Sequence, residues 1–557
     1  MRSIILLAFA FLLCAASAAE VEGDPKGSLI VRLDGDMPLR PQAMWFDDAG
    51  LSLHAATMRL REALKAPEAT IVLDLSNDFG AGTAACEELA AVLREPHPGK
   101  KVICLLDEAR DAALAVAAAC DEVVMPPAGM LTVAGLDLST WYVSDGLAKL
   151  GVRFHAVQSG AWKSAPEMFT RNAPSEAAKQ EHQDLAVALA QAQDGLLTRG
   201  SKLTVAGLAA ARAQAPQTSA IALKAGLVDR LAEPGEFRAA LPQPVRELDG
   251  KKKTPDLSNF AGIMAFWGQL LEGEHSVKAE KAVAVVELEG EIVDGDGSEP
   301  GESIAGVDTA ELLDRLADDK LIVAVVLRIN SPGGSASASD RIHHAVRRLD
   351  AKKPVVALFD AVAASGGYYI GCGAREVLVH RATITGSIGV FALMPDLTAT
   401  TGLMGMNRFP ITTAPRADLH PFAPWSADKD AALRTVVEDT DRRFQAIVAT
   451  NRKLDAAVVK DLAGGKVYTG TQAVDRKLAD GFGSLISAVA RARALAKEPN
   501  PLPLERLPKR GGLAAKLGLA QSFLPAPLVG PVRSLNRWAQ VALRGRPLVL
   551  TWAQIPR

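Results

Sequence analysis

Three residues of this 557-residue chain could share one reaction: Ser365, followed by Gly366-Gly367, Lys163 beside Trp162 and Ala165, and Ser387 in Thr385-Gly-Ser-Ile-Gly389. The reaction is acyl transfer. A serine hydroxyl is a weak nucleophile at neutral pH and needs a base within hydrogen-bond reach. The nine histidines offer no such base. His343-His344 reads as mid-helix, where adjacent side chains leave on different faces. Lysine can serve once burial among apolar groups disfavours its charged form. The developing oxyanion needs donors, and the backbone N–H groups of Gly333, Gly334 and Gly366 can approach closely because glycine lacks Cβ. Ser387 would hold the amine of Lys163, as a third member orients a base.

Taken singly, each residue has a plainer explanation. Ser365 could be the N-cap of an ordinary helix, Lys163 a surface lysine, and Ser387 a turn serine. The order of elements along the chain decides between these readings. Val323–Ile329 reads as a buried strand, and Asn330-Ser-Pro-Gly-Gly334 turns into a helix over Asp340–Leu349. Val355–Phe359 is a further strand, leading into the Ser365 turn, and Glu376–Val379 follows. The first half repeats the series with Thr70–Leu75, a helix over Cys86–Arg94, Lys101–Leu106, the Ala-rich Ala112–Cys120, Glu122–Met125 and Leu131–Gly135. Short β runs alternating with helices predict βαβ units and mostly parallel sheets. Two long copies mean a duplicated domain and exclude a solenoid. In the first copy Ser365 falls on Asp111 or Ala112, the Pro332-Gly333-Gly334 turn on Asp78-Phe79-Gly80, and Ser387 on Val133, while Lys163 stands where the second copy has Asp418. One copy keeps the serine and the other the lysine. Each is predicted to hold half a site.

Asn330–Gly334, Asp360–Ile370 with Ser365, Thr385–Gly389, Lys163-Ser-Ala and Val467-Tyr-Thr-Gly470 together resemble the bacterial signal peptide peptidase A family in its long, tandem form, over roughly Lys101 to Val489. The resemblance implies an α/β fold of two tandem domains related to crotonase and Clp protease, without cofactor or metal. It implies a Ser/Lys-dyad peptidase that cuts signal peptides left in the membrane after export, assembled as a homotetramer. Ser365 would be the nucleophile, Lys163 the general base, Ser387 its helper and Gly333 an oxyanion donor. Two rivals are an acyl-CoA hydratase or hydrolase of crotonase fold and an inert envelope scaffold.

Composition is that of a soluble globular protein, 48% hydrophobic and 23% charged. A formal net charge of −2 gives no basic field for nucleic acid. Residues 1–19 read as an export signal, with Arg2, the apolar run Ile4–Ala16 and small residues before Glu20; cleavage is favoured over an uncleaved anchor. The expected location is the periplasm or the periplasmic face of the inner membrane. The expected domains are 28–240 with the lysine and 280–498 with the serine, joined by a linker over 241–279. Phe260–Leu271 within that linker is too short to span a bilayer. A tail over 499–557 holds nine Lys/Arg beyond Pro501 against Glu505 alone, and two amphipathic stretches there could rest on anionic lipid or dock a subunit. Cys86, Cys104, Cys120 and Cys372 lack metal-ligand spacing and are expected as buried thiols.

Overall fold

The computed structural model describes residues 25–39, 51–198, 202–248, 280–297, 303–414, 416–508 and 548–550. The expected export signal, Phe260–Leu271 and the two tail stretches expected to be amphipathic lie outside the described residues.

Two parallel six-strand arrays carry the duplication. The first runs Val245–Leu248, Ser28–Arg32, Thr70–Asp74, Lys101–Leu105, Glu122–Met125, Arg230–Leu231. The second runs Leu504–Leu507, Ala282–Glu289, Ile322–Ser331, Val355–Ala364, Glu376–Val379, Gly481–Phe482, strand for strand the same order. Thr70–Asp74 and Val355–Phe359 are buried throughout, as parallel strands covered on both faces must be. Their Val, Ile, Leu and Phe side chains each contribute roughly 1.5–3 kcal/mol by leaving water. Each copy has its own large apolar core under its helices. The four expected thiols are buried, and none of them is part of a disulfide.

Both copies end later than the sequence pattern indicates. Val245–Leu248 falls in the expected linker and Leu504–Leu507 in the expected tail, yet each pairs in parallel with the first strand of its own copy. They are short and preceded by Pro-rich chain, so their hydrophobic pattern is too brief to read as strands.

A third sheet joins the copies: Ser303–Ala305, Glu291–Val293, Gly333–Ser335, Leu548–Leu550, Phe391–Asp396, Arg153–Gln158. Arg153–Gln158 of the first copy pairs antiparallel with all of Phe391–Asp396 of the second, from Phe391 opposite Gln158 to Asp396 opposite Arg153. A second tie is ionic. Glu88, on the first-copy helix Thr83–Leu93, sits 3.1 Å from Arg328 and accepts the Leu485 N–H at 3.1 Å. Arg328 also meets Asp360 at 2.6 Å, and His380 lies 3.5 Å from Glu88. All four are buried. The Arg328 guanidinium supplies the cation that two buried carboxylates require, and it holds Glu88 down at about 2 against the opposing effect of desolvation.

Candidate active site

The strand Val355–Ala364 ends at Ser365 and a short helix, Gly366–Gly371, begins. Ser365 has φ 55° and ψ −115°, a backbone conformation costly for a residue with a side chain. Its N–H donates to the Gly386 carbonyl at 2.8 Å, and its carbonyl accepts the Tyr369 N–H at 2.8 Å. Ser365 occupies the N-cap position, but its side chain makes no capping hydrogen bond. The hydroxyl is turned away from the helix, against Lys163.

Lys163 reaches Ser365 from 202 residues upstream in the same chain. After Arg153–Gln158 completes its pairing, the Ser159 N–H donates to the Val390 carbonyl at 2.9 Å and the Trp162 N–H to Gly464 at 3.1 Å. Gly464 and Gly465 make the close approach feasible. A Cβ on Gly465, at φ 95°, would stand 2.4 Å from the Lys163 nitrogen, and one on Gly160 would stand 2.4 Å from Gly464 Cα. The Gln158 side chain donates to the Lys163 carbonyl at 2.7 Å.

Lys163 Nζ then lies 2.6 Å from Ser365 Oγ, 2.9 Å from the Ser387 carbonyl oxygen and 2.9 Å from Ser387 Oγ. Ser387, at φ 50°, turns both oxygens toward the amine. A neutral amine has two N–H donors and one lone pair. Donating twice to Ser387 leaves the lone pair for the Ser365 hydroxyl proton, the orientation a base needs. Lys163 and Ser365 are 1% and 0% exposed. Burial drives the Lys163 pKa down to about 7, and the carboxylates of Asp441 and Glu181 oppose the fall.

The glycines differ in what surrounds them. Gly366 opens its helix, so its N–H is one of the donors a helix start leaves without an internal partner. A Cβ there would lie 3.1 Å from Gly333 Cα and 2.6 Å from Ser339 Oγ, so these glycines meet beside Ser365. The Gly333 N–H already donates to Ser331 Oγ at 3.2 Å, a long bond to a rotatable hydroxyl. Gly334 is packed on the neighbouring strand, where a Cβ would sit 2.0 Å from the Ile292 carbonyl oxygen.

The six residues singled out in the sequence therefore converge. Sequence reasoning missed the groups behind the amine. Asp441 accepts from Ser159 Oγ at 3.0 Å and from Gln445 Nε2 at 2.7 Å, and Ser159 Oγ accepts the Val390 N–H at 2.8 Å. Burial pushes the Asp441 carboxyl up. Asp441 lies in the polar helix Ala427–Arg452 without a pattern to mark it. Gly464-Gly465 could have been found, since the pair stands just before Val467-Tyr-Thr-Gly470.

Comparison with known proteins identifies the family. The profile of peptidase family S49 matches twice, over residues 95–243 and 347–498. Protease 4 of Haemophilus influenzae is 27% identical over 96% of this chain and 91% of its own length. Protease 4 of Salmonella typhi is 30% identical over 84% and 77% respectively. The chloroplastic serine protease SPPA of Arabidopsis thaliana is 27% identical over 70% of this chain and 57% of its own. Among solved structures, a membrane-bound stomatin-specific protease mutant with a substrate peptide is matched at 16% identity over 43% of this chain and 96% of its own, with a TM-score of 0.27. ClpP1 of Listeria monocytogenes is matched at 16% identity over 36% and 91%, with a TM-score of 0.22. The double match and the long relatives settle the assignment: the chain belongs to peptidase family S49, as a serine peptidase of the long, two-repeat form.

Proposed function

We propose that the chain is an endopeptidase with a Ser/Lys dyad that degrades cleaved signal peptides or similar hydrophobic peptides at the cell envelope. The observation that carries this reading is the 2.6 Å contact between Lys163 Nζ and Ser365 Oγ in a buried site. Ser365 Oγ attacks the peptide carbonyl while Lys163 takes its proton, and Ser387 keeps the amine aimed. The N–H of Gly366, with that of Gly333 once it leaves Ser331, faces the developing oxyanion; Gly334 holds the glycine turn against Ile292. Lys163 then returns the proton to the leaving amine. A water molecule, deprotonated by the same lysine, releases the acyl group.

The substrate class follows from the resemblance to signal peptide peptidases together with an export-like N-terminus. Homotetramer assembly and contact with a membrane surface belong to the same proposal. Among the described residues no helix is long and apolar enough to cross a membrane. The test is hydrolysis of a synthetic signal peptide by the purified protein. Ser365→Ala and Lys163→Ala should each lower kcat/KM at least a thousandfold with the circular dichroism spectrum unchanged. Full activity in either variant refutes the dyad, and turnover of an acyl-CoA thioester in place of the peptide would favour the crotonase-type rival.

A further inference from the structure

Two buried carboxylates stand behind the amine, one from each copy. Asp441 lies on Ala427–Arg452 of the second copy and is 7% exposed; Glu181 lies on Glu176–Leu197 of the first and is 5% exposed. Each is bonded to the other copy's half of the site. Asp441 Oδ1 accepts from Ser159 Oγ at 3.0 Å, at the turn that leads from Arg153–Gln158 to Lys163. Val390 fixes Ser159 a second time, its carbonyl taking the Ser159 N–H at 2.9 Å and its N–H donating to Ser159 Oγ at 2.8 Å. Glu181 Oε1 accepts the Val467 N–H at 2.9 Å. Val467 is opposite Gly386, and the neighbouring Lys466 carbonyl accepts the Ser387 N–H at 2.7 Å. One carboxylate steadies the lysine arm and the other steadies the serine that aims it.

Both oxygens of Asp441 accept hydrogen bonds, the second from Gln445 Nε2 at 2.7 Å, which suits an ionised carboxylate. Burial pushes its carboxyl up, and the bonds from Ser159 and Gln445 and the charge of Lys163 pull it back. At Lys163, desolvation disfavours the ammonium while Asp441 and Glu181 favour it. The other ionisable groups nearby are placed differently. Arg442 is exposed beside Asp441, and Lys466 Nζ lies 5.3 Å from the centroid of the Trp162 ring. Burial favours the neutral forms of Tyr468 and His182, which follow Val467 and Glu181 in the chain.

The base has a second duty in this mechanism. It must keep the serine proton as an ammonium until the leaving amine takes it, and a buried ammonium requires counter-charge. We propose that Asp441 and Glu181 are positioning residues for the base, a carboxylate pair whose charges let the buried amine hold that proton and so set the acid limit of activity. This inference rests on the dyad reading. The proton passes from Ser365 Oγ to Lys163 Nζ and on to the leaving amine, and both carboxylates stay ionised throughout.

Asp441→Asn and Glu181→Gln keep the oxygen that accepts from Ser159 or Val467 and remove the charge; the Gln445 amide can turn to meet the new NH2 group. The test is kcat and KM of the purified full-length variants on the synthetic signal peptide from pH 5 to 10. Each should move the midpoint of the acid limb down by about 0.5–1 pH unit from the wild-type position near 7, and the double variant should move it further. At pH 9 kcat should fall about 3–10-fold with KM unchanged, because the ammonium formed during turnover is less well held. Should Asp441→Asn not melt cooperatively, Glu181→Gln alone decides. Midpoints that stay at the wild-type position, whatever the loss of rate, reduce both carboxylates to structural bonds and overturn the inference while leaving the dyad standing. So does a midpoint that moves up. A wild-type profile without an acid limb, or full activity in Lys163→Ala, overturns the dyad reading itself.

Discussion

Activity should follow the protonation of one amine. Lys163 acts as a base only when neutral, and burial lowers its pKa from 10.5 to about 7. The neutral fraction of such a group rises from about a tenth at pH 6 to about nine-tenths at pH 8, so kcat/KM should climb roughly tenfold across that range. The same shift has a stability signature whose sign is fixed. The unfolded chain binds this proton more tightly than the folded one, so stability rises as pH goes from about 7 to 10.5, by about 1.4 kcal/mol per pH unit. Below pH 7 the folded chain carries a buried ammonium at full cost, roughly 5 kcal/mol over the whole interval. Lys163→Met keeps the length of the side chain and removes the charge. Hydrogen bonds to Ser387 and Ser365, about 0.5–1.5 kcal/mol each, are lost in return. The variant should therefore be inactive yet more stable than wild type at pH 6, with the gap closing as pH rises toward 10. Urea midpoints of both proteins at pH 6, 7, 8 and 9 read this directly. A pH-independent gap, or a kcat/KM profile whose rise is centred near pH 10, would refute the neutral-lysine argument.

Other outcomes follow from single contacts. Ser387→Ala removes one of the two acceptors that aim the amine, and should lower kcat about 10–100-fold with little change in KM, measured on the same peptide. Gly465→Ala places a Cβ 2.4 Å from the Lys163 nitrogen at φ 95°, so the base must shift; at least a tenfold loss of kcat in a protein that still melts cooperatively is expected. Arg328→Met leaves Glu88 and Asp360 buried without their cation and should cost about 3–5 kcal/mol in denaturant titration, part of which is recovered by adding Glu88→Gln.

The parallel arrays and the converging site residues were legible in the sequence because each rests on a local signal: all-apolar strand runs, and glycines at a turn. The pairing of Lys163 with Ser365 was legible only by comparing the copies, since no spacing rule connects residues 202 positions apart. What stayed hidden was tertiary. Val245–Leu248 and Leu504–Leu507 are strands because an open sheet edge awaits them, a cause located in Ser28–Arg32 and Ala282–Glu289 and not in their own residues. Asp441 and Ser159 are ordinary polar residues until folding sets them behind the amine. Glu88 reads as one more exposed helix carboxylate, yet it is buried against Arg328 of the other copy.

The duplication also explains how a lysine can be held neutral in a site that must open to substrate. Here Arg153–Gln158 arrives as an edge strand of the second copy's sheet, and six paired residues fix its position before the chain turns at Ser159. Glu88 and Arg328 pin the same two copies at a second point. In the first copy the corresponding helix starts at Asp111, preceded by Arg110 at φ −123°, so the strained residue that aims Ser365 has no counterpart there. Asp111 instead accepts the Ala134 N–H and lies near Arg212, a polar plug in place of a nucleophile. At this position the positive-φ backbone belongs to the second copy alone. Under the proposed dyad the other copy supplies the base on a paired strand, so loosening either tie between the copies should reduce activity before it unfolds either core.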